Sequence, residues 1–172
     1  MRRRWHESHK DSSYCRRAVR GEHRSLICSS LGNLRSGLKA DVPLLDGSAV
    51  PDDVRHVLQT KCADCHSTNT QWPLYSRLAP GSWLVEHDVH DGRNHLNMSQ
   101  WQRYNLETQI DLLTQIASEA RSGQMPEKQY LILHPKARLS SEEQQLIYDW
   151  AKAERKHIRR RVETLQDKPA AN

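Results

Sequence analysis

Phenylalanine is missing altogether from these 172 residues, and only 36% of the chain is hydrophobic in the broad sense. So thin an apolar supply is poorly suited to a large self-sufficient core, and such a chain folds more comfortably around an apolar group that fills part of the interior. No stretch approaches the about 18 consecutive apolar residues of a membrane span, and the start lacks the roughly 7 to 15 residue apolar segment of a secretory signal. Neither Cys15 nor Cys28 has a lipoprotein cleavage context, because Ser12 and Ser25 stand where an aliphatic residue is expected. Internal repeats are lacking too, and no segment shows the period-two alternation of a strand. What remains is an all-α reading with long loops.

Charge is present but unevenly spread. Residues 1–40 hold ten Lys/Arg against three Asp/Glu, a surplus of seven, while the remainder holds 16 against 18. The basic character therefore belongs to an N-terminal arm, read here as residues 1–50 without sustained periodicity, closing in the Pro- and Gly-containing stretch from Asp41 to Pro51. Residues such as Arg2 to Arg4, Arg16, Arg17 and Arg20 form no recognition motif and carry no interleaved aromatics, so no nucleic-acid partner is expected. A folded domain is expected over 51–160 and a disordered tail over 161–172.

Within that domain, Pro51 followed by Asp52 and Asp53 opens a helix carrying Val54, Val57 and Leu58 on one face and running into Cys62. Residues 67–80 read as a loop, with Trp72, Leu74 and Tyr75 as packing anchors. A second helix is expected around Trp83 to His90. Ser99, with Gln102 as capping-box partner, predicts a third helix through Leu106, Ile110, Leu113, Ala117 and Ala120, ended by Gly123. Ser140 and Glu143 form a second capping box before Leu146, Ile147, Trp150 and Ala151.

The chemistry concentrates at Cys62-Ala63-Asp64-Cys65-His66. This is the C-x-x-C-H pattern of c-type haem attachment. Positions three and four apart share a helical face, so two sulfurs reach the vinyl groups of one porphyrin while the imidazole reaches iron. The competing readings are a zinc site, a dithiol redox motif and buried thiols. Zinc normally needs a second close pair of ligands, and no second C-x-x-C is present. A thioredoxin-like motif follows a strand, and none is expected here.

A sixth iron ligand is sought among few residues. Met125-Pro126 lies 59 residues after His66, just past the helix end at Gly123. The alternative for Met125 is that it fills a gap in the core. Met98, His87, His90 and His95 are its competitors, with His134 behind them. Methionine–histidine ligation points to electron transfer, whereas an open position points to sensing or peroxide chemistry.

With these pieces in order, the chain resembles the haem-binding domain family of bacterial monohaem c-type cytochromes, over roughly Val54 to Trp150. The resemblance rests on Cys62 to His66, on Trp72-Pro73-Leu74-Tyr75-Ser76 and on Pro80-Gly81-Ser82-Trp83. It continues through Gly92-Arg93-Asn94-His95-Leu96-Asn97-Met98-Ser99-Gln100-Trp101 to Met125-Pro126, Tyr130, His134-Pro135 and Leu139-Ser140. Met98 and Gln100 depart from it, standing where the family usually has Phe and an acid. The resemblance implies cytochrome-like helices packed around one haem c, bound covalently at Cys62 and Cys65, with His66 as proximal and Met125 as distal ligand. It further implies a monomeric one-electron carrier rather than a catalyst, serving redox partner proteins in the periplasm, although no signal peptide is recognisable in the sequence.

Overall fold

The computed structural model describes residues 43–167. Residues 1–42 and 168–172, which include most of the basic arm and the end of the expected tail, lie outside the described residues. Among the described residues there are helices and loops but no strand, as the periodicity predicts.

Helix α1 spans Asp52–Lys61, with its acids in the first turn, Lys61 in the last, and Val54, Val57 and Leu58 buried. A single turn, α2 (Ala63–His66), follows directly. After a loop with a short 3-10 helix at Leu74–Arg77 comes α3, Gly81–His95, longer at both ends than the expected Trp83 to His90.

The next helix begins later than its expected start at Ser99. Residues Met98–Arg103 form a 3-10 helix broken by non-helical backbone at Gln100 (φ −116°, ψ 21°). The cap of α4 (Leu106–Ser122) is instead Asn105, whose side chain accepts from the Thr108 N–H at 2.8 Å. Gly123 closes α4 in the left-handed region (φ 68°), where a Cβ would be strained. Helix α5 (Lys128–Leu133) and a 3-10 turn at Pro135–Ala137 lead to α6, Ser141–Gln166. Both bonds of the Ser140–Glu143 capping box are made. Helix α6 runs on to Gln166, past the boundary at 160, with Ile158 as its last buried residue.

Helix α4 lies along α6, and α1 packs against α6. Leu113, Ala117, Ile147, Ala151, Ile158 and Val54 belong to one buried cluster. That cluster also takes in Leu44, Leu45 and Val50, so residues 43–50 are part of the fold and not a loose end of the arm. The Leu45 N–H donates to Met98 O at 2.9 Å, and Trp150 Nε1 donates to Ala49 O at 3.0 Å. Burying one leucine side chain is worth roughly 1.5 to 3 kcal/mol. Two of them tie an aperiodic segment down.

Lys61, at the end of α1, reaches Glu143 Oε2 at 2.6 Å and Arg138 O at 2.9 Å. The end of α1, which leads into the cysteines, is thereby fixed to the start of α6. No described helix is long and apolar enough to cross a membrane.

Candidate functional site

The C-x-x-C-H segment is not one uninterrupted helical turn. Helix α1 stops at Lys61, and Cys62 has non-helical backbone (φ −123°, ψ −30°) before α2 resumes. The i to i−4 ladder nevertheless passes through, from Cys62 N–H to Leu58 O and from His66 N–H to Cys62 O, each at 3.0 Å. Cys62 and Cys65 are both half-buried and unbonded.

Helix α3 packs against this turn, and the contact explains much of the segment from Gly92 to Trp101. A Cβ at Gly92 would lie 2.9 Å from Cys65 O, so only glycine lets the two backbones approach this closely. The next residue, Arg93, donates through Nε to Ser67 O at 2.8 Å and through its guanidinium to Thr70 Oγ1 at 3.0 Å. His66 Nδ1 lies 3.1 Å from Leu96 O. A carbonyl only accepts, so Nδ1 carries the proton and Nε2 keeps its lone pair. Ser99 Oγ accepts from the Thr68 N–H at 3.1 Å, Asn97 Oδ1 accepts from the Ser99 N–H at 3.1 Å, and Tyr104 OH accepts from the Asn97 N–H at 3.0 Å. Trp101 is buried beneath. The segment thus braces the loop that follows the histidine.

On the other side of Cys65 lies a narrow cleft between α3 and α5, with a cavity volume of about 30 Å³. Cys65, Asp64, Asp88, Leu84, Tyr130 and Leu133 are among its walls; Cys62, His66 and Met125 are not. Tyr75 OH sits 2.5 Å from His134 Nε2. Tyr130 stacks on the same imidazole, with centroids 4.3 Å apart and planes at 11°, and donates to Asp64 Oδ2 at 3.3 Å. Of the three anchors expected in the loop, Tyr75 is held in this way, but Leu74 is 77% exposed. Ser76 is the buried residue, donating to Pro73 O at 2.6 Å.

Burial sets the protonation states. It pushes the Cys62 thiol up to about 12, with Cys65 adding to the shift. Cys65 also rises to about 12, through burial first and then the carboxylates of Asp64, Asp88 and Glu127. Burial lowers His66, against the opposing pull of the backbone carbonyls of Leu96 and Gly92, so the ring is neutral at physiological pH. Asp88 is raised by burial and by the neighbouring Glu127. A neutral imidazole with a fixed tautomer is the ligand form of histidine.

A model of the haem-binding domain family matches residues 32–153, most of the chain. This protein belongs to the haem-binding domain family. No curated protein and no solved structure matches it. The matched span begins ahead of residues 43–50, in keeping with the packing of Leu44 and Leu45 into the core.

The residues of this haem-binding domain fit the group it is named for. Beside two unpaired thiols and an imidazole with a free Nε2, apolar side chains line the cleft while still exposed, with Leu133 at 57% and Leu84 at 48%. Apolar surface left open at a concave site marks a place for an apolar partner. Among the described residues no three His, Cys, Asp or Glu side chains gather as a metal site.

The sixth-ligand candidates fare differently. Met98 is 1% exposed and packed in the core with Trp101, a filler and not a free sulfur. His87 and His90 are exposed on α3 and paired with Asp91, and exposed His95 bonds back to Asp91 O at 2.8 Å. Met125 is 36% exposed in the loop after Gly123, two residues before Glu127, whose charge is felt at Cys65 and His66. Sequence reasoning assigned no individual role to Gly92, Arg93, Leu96 or the Tyr75–His134–Tyr130 stack. Their spacing registers only as part of an ordered set of motifs.

Proposed function

We propose that this chain is a monohaem c-type cytochrome domain acting as a one-electron carrier. Cys62 and Cys65 form the two thioethers, His66 ligates iron through Nε2, and Met125 completes the coordination. The observation that carries the reading is the His66 Nδ1–Leu96 O bond of 3.1 Å, directly beside the cysteine pair, in a chain of the haem-binding domain family. It orients the ring and frees the ligating nitrogen, as a carbonyl on the far nitrogen of a metal-bound histidine does. When bound, the haem supplies the Fe(II)/Fe(III) couple.

The chain's own residues do the rest. Arg93 and Gly92 hold the cysteine loop against α3, while Leu84 and Leu133 keep the cleft apolar, which favours the less charged form of the centre. The two Cys thiols are kept protonated until attachment. Redox partner proteins, a monomeric state and a periplasmic location, where c-type haem is attached, belong to the same reading.

One observation favours a second reading. Met125 stands partly exposed and outside the cleft wall, as it would beside an open or exchangeable sixth position serving sensing or peroxide chemistry. The absorption spectrum of the ferric holoprotein separates the two. A low-spin spectrum with the weak charge-transfer band of methionine ligation, lost in Met125→Ala, supports the carrier. A high-spin ferric spectrum unchanged by that substitution supports the open site.

A further inference from the structure

A second concave site lies between α4 and α6, away from the cysteines. It is a half-open groove of about 400 Å³, floored by Leu113 and Ala117. Its charged lining is entirely cationic: Arg121 from α4, Lys152 and Arg155 from α6. The Arg121 guanidinium lies 4.3 Å and the Lys152 ammonium 5.9 Å from the centroid of the same Tyr148 ring. Arg155 donates to Thr114 Oγ1 at 3.0 Å and is held facing the groove. None of the three cations forms an ion pair among the described residues.

Like charges drawn together over one ring repel each other, and the cation–π contacts, worth roughly 0.5 to 1 kcal/mol each at an exposed site, offset only part of that cost. An anion between them removes it. Two planar guanidinium forks and an ammonium, with the Thr114 and Ser118 hydroxyls alongside, form a donor set for oxyanions carrying several charges. Arg121 and Lys152 converge on one ring, and the volume is that of a small-molecule site, so a compact ligand fits better than a peptide strand.

From this we infer that the α4–α6 groove binds a small multivalent phosphate, gripped by Arg121, Lys152 and Arg155. The inference does not rest on the haem chemistry. It is tested by titrating the full chain, with or without haem, with sodium pyrophosphate at constant ionic strength, following heat and backbone amide shifts. The expected result is saturable binding with shifts centred on Ser118, Arg121 and Lys152. Arg121→Gln and Lys152→Gln, both at exposed positions and checked for folding by circular dichroism, should each weaken it roughly tenfold. Arg159→Gln, on α6 but outside the groove, should leave it unchanged. The inference is overturned if pyrophosphate does not saturate, if Arg159→Gln weakens binding as much as the groove variants, or if the groove responds to an oligoglutamate peptide and not to pyrophosphate.

Discussion

Replacing Gly92 with alanine sets two opposing effects against each other. In an ordinary helix interior the change is favourable by about 1 kcal/mol, because alanine is the better helix former. Here the added Cβ would stand 2.9 Å from Cys65 O, 3.0 Å from Cys65 Cβ and 3.2 Å from Cys65 C. Ordinary contact begins near 3.4 Å, so α3 and the cysteine turn must part by about 0.5 Å. Two of those three atoms are backbone, and no rotamer relieves them. Overpacking of this kind costs roughly 1 to 3 kcal/mol, and a rigid backbone contact belongs at the upper end. The same movement stretches the His66 Nδ1–Leu96 O bond, which is 3.1 Å already, at a further cost of about 1 kcal/mol. The clash wins by about 3 kcal/mol net, a fall in Tm of roughly 6 to 12 °C for a chain of this size. Thermal unfolding followed by circular dichroism measures it, with Gln115→Ala on the exposed face of α4 as a control for helix propensity. An alanine variant as stable as the parent, or more so, would refute the claim that α3 and the cysteine turn are packed to contact.

Four further outcomes follow from the same geometry. With both thiols held near 12 against 9.0 for a free thiol, apoprotein at pH 8 has a thiolate fraction about a thousandfold below that of the unfolded chain; greater intrinsic nucleophilicity returns part of this, so iodoacetamide should label the native cysteines roughly 50-fold more slowly, and equal rates before and after denaturation would contradict the burial. Glu143 is raised by burial but lowered more by Lys61 and the Ser140 N–H, for a net fall, so its contribution is present above the unfolded value of 4.5 and is lost as pH drops through the folded one; Lys61→Met should cost about 1 to 2 kcal/mol at pH 7 and progressively less below pH 4.5, by urea titration. Leu45→Ala should cost about 2 to 5 kcal/mol, an effect absent if residues 43–50 did not pack in the core. Gly123→Ala, at φ 68°, should cost about 1 kcal/mol despite alanine's helix propensity.

The parts of the fold that were legible from sequence are those fixed by neighbours in the chain. Ser140 with Glu143 and Gly123 after α4 satisfy helix-end groups within a few residues, and Asp52 with Asp53 place negative charge at the head of α1. The proposed haem residues Cys62, Cys65 and His66 stand out in the sequence for a similar reason, being three chemical groups within five positions. Ser99 was misread because its hydroxyl serves the Thr68 N–H, 31 positions upstream, and local rules see only a cap. The segment 43–50 carries no period, so the burial of Leu44 and Leu45 depends on partners that the chain reaches only when folded. The Tyr75–His134 pair joins residues 59 apart, and the cationic groove arises only where α4 meets α6.

The mass of the intact chain, produced with a c-type maturation system and a working export signal, tests the central claim most directly. Covalent attachment predicts a gain of one haem that survives acidified organic solvent, and its loss in Cys62→Ser/Cys65→Ser. An unmodified chain with both thiols free to alkylate after denaturation would contradict it.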